Sequence, residues 1–282
     1  MRLLLIIAAL AAAASAAAAE PPNARSAYIE RRGLVEADAQ CRLFDADVRA
    51  ALQAGVTQAR GTLLRAGWSS SQLRELEQVV VTAARARACD DRRTIASAAS
   101  ARTAFATWVT ASTMLFPGWE RSWAASRAAG ANGWALRQTM DAPVAAMFGV
   151  RTHNGAQQLA LVVPLARGQT APASARLLMR NGARASALEV SLPQRMAYGL
   201  AAGAPAANVA ASIPSTRAME RLGRGAVHAI FVFPDSAFRD LLTLDPRESV
   251  EIRLVNGRTE QVLYVEIGDI AAARAFLTMR GS

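Results

Sequence analysis

The stretch Val250-Glu251-Ile252-Arg253-Leu254-Val255-Asn256-Gly257-Arg258-Thr259-Glu260-Gln261-Val262-Leu263-Tyr264-Val265-Glu266-Ile267 decides the fold class. Val250, Ile252 and Leu254 alternate with charged residues, and Leu263, Val265 and Ile267 oppose Val262, Tyr264 and Glu266. A period of two is the mark of a strand with one buried face. Between the two runs stands Asn-Gly, which accepts the positive φ angles that a tight type I′ hairpin turn requires. The pair recurs at Asn154-Gly155 and Asn181-Gly182, predicting hairpins over Met147–Val163 and Ala175–Val190. A further strand, Val227–Phe233, is closed by Pro234. Helices follow over Asp235–Leu244 and Asp269–Met279, each with an aspartate placed to cap it. Residues 133–282 therefore read as an antiparallel β-rich, sandwich-like domain with two helices.

Working outward toward the N-terminus, the period changes to that of a helix. Val48, Leu52, Val56, Ala59 and Leu63 form one stripe behind the cap candidates Asp45 and Asp47. Leu73, Leu76, Val80, Ala83 and Ala84 form a second over about 71–88, with Ser69, Ser70 and Ser71 as caps. A third helix spans about Thr94–Leu115. Phe116-Pro117-Gly118-Trp119 turns the chain, and a short helix is expected from Trp119 to Arg127. The organisation expected is a helical domain over 26–128, a small-residue linker over 129–132 and the β-rich domain over 133–282. The fold class is α+β.

Residues 1–19 read as a secretory signal peptide. Arg2 supplies the positive region, Leu3–Leu10 the apolar region, and Ala17 and Ala19 the small-residue cleavage pattern before Glu20. A tail at 20–25 follows. The mature chain is expected to carry no transmembrane segment and to reside in the periplasm or outside the cell. In such a compartment Cys41 and Cys89, 48 residues apart, are expected to form a disulfide. Net charge is +10 and every basic side chain is arginine. Residues 20–130 hold 15 arginines against 11 carboxylates and residues 131–282 hold 16 against 11, with no basic block. Nucleic acid is therefore not an expected partner, whereas peripheral contact with an anionic membrane or cell-wall polymer is compatible with the charge.

The stretch Ile230-Phe231-Val232-Phe233-Pro234, then Phe238-Arg239-Asp240, with Ile270–Leu277 at the end, resembles exported proteins of the invasion-associated locus B family. The resemblance covers residues 133–282 and rests on element order and apolar pattern. It implies a small secreted protein with a β-rich domain, a role in host-cell interaction and no established enzymatic activity. Members carry cysteines in this domain; this chain has none after Cys89.

The absence of lysine excludes a P-loop, a Schiff-base enzyme and hydrolases built on Ser-x-x-Lys. With His153 and His228 the sole histidines, the His-Glu-x-x-His zinc pattern is excluded too. No cofactor is expected. His228, with Ser236 and Asp235 near in sequence, is the one candidate for a Ser/His/Asp hydrolase. The leading expectation is an exported cell-envelope binding protein without enzymatic activity, its partner an envelope protein or cell-wall polymer; the alternative is a periplasmic hydrolase using carboxylates or a Ser/His pair. Its binding surface is expected at the domain junction, around Trp119, Arg121, Trp123 and Trp134, because tryptophan and arginine dominate interface hot spots.

Overall fold

The computed structural model describes residues 24–66, 68–128, 133–180, 209–222 and 226–279. Four helices lead: α1 (Ala24–Cys41), α2 (Ala46–Arg65), α3 (Ser70–Arg85) and α4 (Arg92–Thr110). The starts of α2, α3 and α4 are set by side chains that satisfy backbone N–H groups left free by the first turn. Asp45 accepts from Val48 N at 2.8 Å, and Asp91 accepts from Thr94 N at 2.9 Å. Ser69 and Gln72 form a reciprocal capping box. The aspartates expected to cap the two later helices do not do so. α5 (Asp235–Leu241) begins after Pro234 with no side-chain cap, and Asp269 precedes α6 (Ile270–Thr278) without capping it.

Strands β1 (Thr113–Pro117), β2 (Ser122–Ser126), β3 (Trp134–Met140), β4 (Ala146–His153) and β5 (Ala156–Pro164) form an antiparallel meander. β6 (Ser174–Arg180) and β7 (Val209–Pro214) lie in a second sheet, then β8 (Thr216–Leu222) and β9 (Ala226–Phe233) return to the first. Only Ser215 separates β7 from β8, so the chain changes sheet at Pro214-Ser215. β10 (Ser249–Asn256) and β11 (Thr259–Glu266) complete the second sheet. The strand orders are β1-β2-β3-β4-β5-β9-β8 and β11-β10-β6-β7. The two sheets bury one common core, in which Phe148, Leu161 and Phe231 of the first meet Leu177, Ile252 and Leu263 of the second.

The hairpin that decides the class pairs Val250 with Val265 and Ile252 with Leu263, all fully buried. Its turn, like that of β4–β5, uses positive φ: Gly257 at 60°, Asn154 at 49° and Gly155 at 79°. The strand β6 occupies the first arm of the hairpin expected over Ala175–Val190; Asn181-Gly182 and the second arm lie outside the described residues.

Two expectations about the junction are corrected. α4 ends at Thr110, not Leu115, and the helix expected over Trp119–Arg127 is the strand β2. Ser122-Trp123-Ala124-Ala125-Ser126 alternates, burying Trp123 and Ala125. With five residues, that period was hidden by the alanines, which suit a helix equally. Residues 113–126, expected with the helices, are thus two strands of the larger sheet.

The helices and the sandwich meet without a gap. Gly61 of α2 packs so closely that a Cβ there would lie 1.9 Å from Thr243 O. Gln58, one turn earlier, donates to Gly268 O at 2.8 Å. Trp108 of α4 stacks edge-on against Phe105, Phe116 and Phe276, with ring centroids 4.9, 5.3 and 6.3 Å away. Arg127 lies over the Phe276 ring at 4.3 Å and donates to Val109 O and Phe276 O, near the C-terminal ends of α4 and α6. A cation there meets the negative pole of both helices. The seam is filled by residues other than the four tryptophan and arginine positions expected to line it.

Candidate functional site

Gly118-Trp119-Glu120-Arg121 joins β1 to β2, and its conformation is dictated from far along the chain. The carboxylate of Glu266, the last residue of β11, accepts three successive backbone N–H groups: Trp119 at 2.6 Å, Glu120 at 3.0 Å and Arg121 at 3.1 Å. Successive N–H groups aimed at one point make a concave anion site; here the anion is the protein's own. Gly118 permits it, because a Cβ at that position would lie 2.5 Å from Glu266 Oε2 and 2.4 Å from Arg121 O. The backbone of Glu266 is held as firmly. Its carbonyl accepts from Trp123 Nε1 at 3.0 Å and Gln138 Nε2 at 3.1 Å, and its N–H donates to Gln138 Oε1 at 2.8 Å.

The consequence is a fixed turn carrying an exposed aromatic. Trp119 is 65% exposed and Tyr264, two residues before Glu266, is 41% exposed. Arg121 bridges their neighbourhoods, donating to Tyr264 O at 3.3 Å and pairing with Glu266 Oε1 at 3.5 Å. Trp119, Arg121 and the exposed Tyr264 thus stand where the β1–β2 turn is tied to β11. Burial pushes the Tyr264 hydroxyl upward from its usual pKa, the nearby Glu251 adding to the effect, so the phenol presents a hydrogen-bond donor at neutral pH.

Of the four expected binding residues, the structure brings Trp119 and Arg121 together and separates the others. Trp123 is fully buried in the sandwich core, its ring 6.4 Å from Phe148. Trp134 is 4% exposed on the other face of the same sheet, packed with Ala160, Val162 and Ile230. Tyr264 was missed. Its alternation in β11 marked it as outward-facing, but nothing local linked it to Trp119.

The face carrying Trp134 has its own geometry. Arg151 is paired in register with Gln158, and six residues further along β5 Pro164 is paired with His228, which is paired with Glu220. On a flat sheet that diagonal would be roughly 25 Å, from strand spacings of about 4.8 Å and a rise of about 3.3 Å per residue. Yet Arg151 Nη2 lies 2.9 Å from Glu220 Oε2, and His153 Nδ1 lies 3.4 Å from Glu220 Oε1. The sheet is therefore rolled over the Trp134 face, with strong coiling of the kind that accumulates from strand twist. Trp134 Nε1 is buried there without a hydrogen-bond partner among the described residues.

His228 does not join Ser236 and Asp235. Its Nδ1 contacts Ala226 O at 2.9 Å, and it stands near the start of β9 while Asp235 and Ser236 follow the end of that strand. About six strand residues, roughly 20 Å, separate them. Among the described residues no three His, Cys, Asp or Glu side chains converge as a metal site would require, and no helix is long and apolar enough to cross a membrane.

Cys41 and Cys89 are bonded, with their Cα atoms 5.5 Å apart. Cys41 ends α1 and Cys89 follows α3, so the bridge ties the C-terminal ends of those two helices.

Fold and site together define an α+β protein in which a disulfide-tied helical layer is fused to a two-sheet antiparallel sandwich, with an aromatic and cationic patch on a fixed turn. No family model matches the chain, and no curated protein or solved structure is detectably similar to it.

Proposed function

We propose that this chain is an exported cell-envelope binding protein without enzymatic activity, and that Trp119, Arg121 and Tyr264 form its contact surface. The observation that carries the reading is the fixed exposure of Trp119. The residue is 65% exposed while its backbone is already held by Glu266, and a side chain on ordered backbone loses little entropy on binding. Aromatic and arginine side chains are also the residue types that dominate interface energetics. The arrangement suits a cell-wall polymer: ring faces offer apolar contact to sugars, and Arg121 offers a donor to carboxylates. The signal-like segment before Glu20, the disulfide, and the resemblance of residues 133–282 to invasion-associated locus B proteins support placement in the periplasm or outside the cell.

The test is co-sedimentation of the mature protein with purified cell-wall sacculi. Trp119→Ala should weaken retention about tenfold, the size of a modest hot spot, and leave the melting temperature nearly unchanged. Equal retention of wild type and variant removes the reading. Mass spectrometry of the exported chain should place its first residue at Glu20.

A further inference from the structure

At the opposite end of β11 lies a second cleft of different chemistry. Its volume is about 390 Å³, and its walls come from Val144, Val163, Gln169, Thr170, Pro172, Leu254, Asn256, Thr259 and Gln261. It opens between the two sheets, beneath the loop 165–173, which is pinned to β10 by Ala173 N donating to Val255 O at 2.8 Å. The floor is apolar: Val163 and Leu254 are buried, and Pro172 closes one side. Above the floor stand three side-chain amides and two hydroxyls.

Two properties of this lining select a ligand. First, none of the nine residues is ionisable. A charged ligand would lose hydration there and meet no counter-charge, so the cleft favours a neutral one. Second, the amides are largely unspent. Gln169 uses its oxygen to accept from Ala166 N at 2.9 Å, leaving its NH2 group, and the amides of Asn256 and Gln261 hydrogen-bond no described residue. Each amide offers a donor and an acceptor side by side. The complement is a group that is itself an amide, with a small apolar end for the Val163–Leu254 floor.

We propose that this cleft binds the acetamido group of an N-acetylated amino sugar, its methyl on Val163 and Leu254 and its amide between Gln261, Asn256 and Gln169. No aromatic lines the cleft, so recognition falls on the acetamido group and not on the sugar ring. The choice of a glycan over a peptide as the carrier of that amide rests on the cell-wall reading above. The two sites are nonetheless separate. Gln261 and Tyr264 point to opposite faces of β11, because odd-numbered positions such as Leu263 and Val265 face the core.

The experiment is a calorimetric or NMR titration of the mature protein with the disaccharide of N-acetylglucosamine, beside its non-acetylated glucose counterpart and an N-acetylated alanine amide. The acetylated disaccharide should bind at least about tenfold more tightly than the glucose disaccharide, which offers the cleft's amides no partner and its apolar floor no methyl group. Gln261→Leu, at an exposed position, should lower that affinity about tenfold. Gly33→Ala, in α1 and outside both sites, should leave it unchanged, and raising the salt concentration should have little effect because no charge takes part. Equal binding of both disaccharides, no binding of either, or no effect of Gln261→Leu overturns the proposal. Preferential binding of the alanine amide also overturns it, by reassigning the cleft to peptides. Loss of sacculus retention in Trp119→Ala but not in Gln261→Leu, or the reverse, tells failure of one site from failure of the other.

Discussion

The sandwich and the helical layer bury their apolar residues differently. Among the described residues, thirty form one continuous core drawn from both sheets and from α5 and α6, whereas the helices divide theirs into clusters of seven and five. The helical layer also leaves apolar surface open: a groove of about 290 Å³ runs between α1, α3 and α4, and Val79 on its wall is 67% exposed. What it lacks in core it replaces with point attachments. Arg32 bonds Glu77 at 2.8 Å, Arg85 bonds Glu36 at 2.6 Å, Arg49 bonds Asp38, and the disulfide closes the set. A small apolar core needs such staples, because burial alone barely offsets the entropy of ordering the chain.

The largest expected effect is at the contact between the two regions. Gly61→Ala places a Cβ where Thr243 O already sits and should destabilise the protein by about 3 kcal/mol, at the upper end for overpacking. If the helices depend on the sandwich, calorimetry should then show two separated transitions, the helical one lower. A single transition at the wild-type temperature would break the comparison. Gly33→Ala is the control within the same layer. Its Cβ meets only Val80 Cγ1 at 3.7 Å, so relief of glycine's helix penalty should stabilise by about 0.5–1 kcal/mol.

Of similar size is the effect of the staple. Cys41→Ser with Cys89→Ser should cost about 2–4 kcal/mol on the chain-entropy view of cross-links. The loss should be local: amide exchange in α1 and α3 should quicken while β5, β9 and β10 keep their protection. Uniform loss across both regions would show that the bridge supports the whole molecule.

The smallest effect concerns acid. The Arg85 guanidinium hydrogen-bonded to Glu36, helped by Arg32, holds that carboxyl below its ordinary pKa of 4.5 despite the opposing effect of burial. A depressed acid contributes stability above its unfolded pKa and loses it as pH falls through the folded value. Asp269, raised from 3.8 by burial against a smaller lowering by Arg31, has the opposite sign: its contribution is full below 3.8 and is lost as pH rises. Acidification below about pH 4.5 should therefore loosen the helical layer first, by less than either change above because Arg85 is exposed and screened. Glu36→Gln should flatten that acid limb; an unaltered limb would show that other carboxylates set it.

The site was legible only in part. Trp119 and Arg121 could be singled out because Phe-Pro-Gly-Trp forces a turn, and turns expose what they carry. Tyr264 and Glu266 stand in a strand that read correctly, yet the hydrogen bonds joining Glu266 to the turn cross about 145 residues of sequence. Trp123 and Trp134 looked like their neighbours in the sequence, and were distinguished only by which face of which strand each occupied.

What the sequence by itself determined is local. Two of its Asn-Gly hairpins, the aspartate and serine caps of α2 and α3, the alternation of β10 and β11, and the Cys41–Cys89 pair all follow from conformational preferences or chemistry held within a few residues, or from there being two cysteines to pair. The tertiary structure decided what depends on distant partners. Ser122–Ser126 is a strand because β1 and β3 stand beside it. The turn at Trp119 has one conformation because Glu266 supplies the acceptor for its N–H groups. The sheet rolls over Trp134 until Arg151 and His153 reach Glu220. In each case the deciding free energy comes from hydrogen bonds and burial supplied by residues remote in sequence, so no window of local sequence contains it.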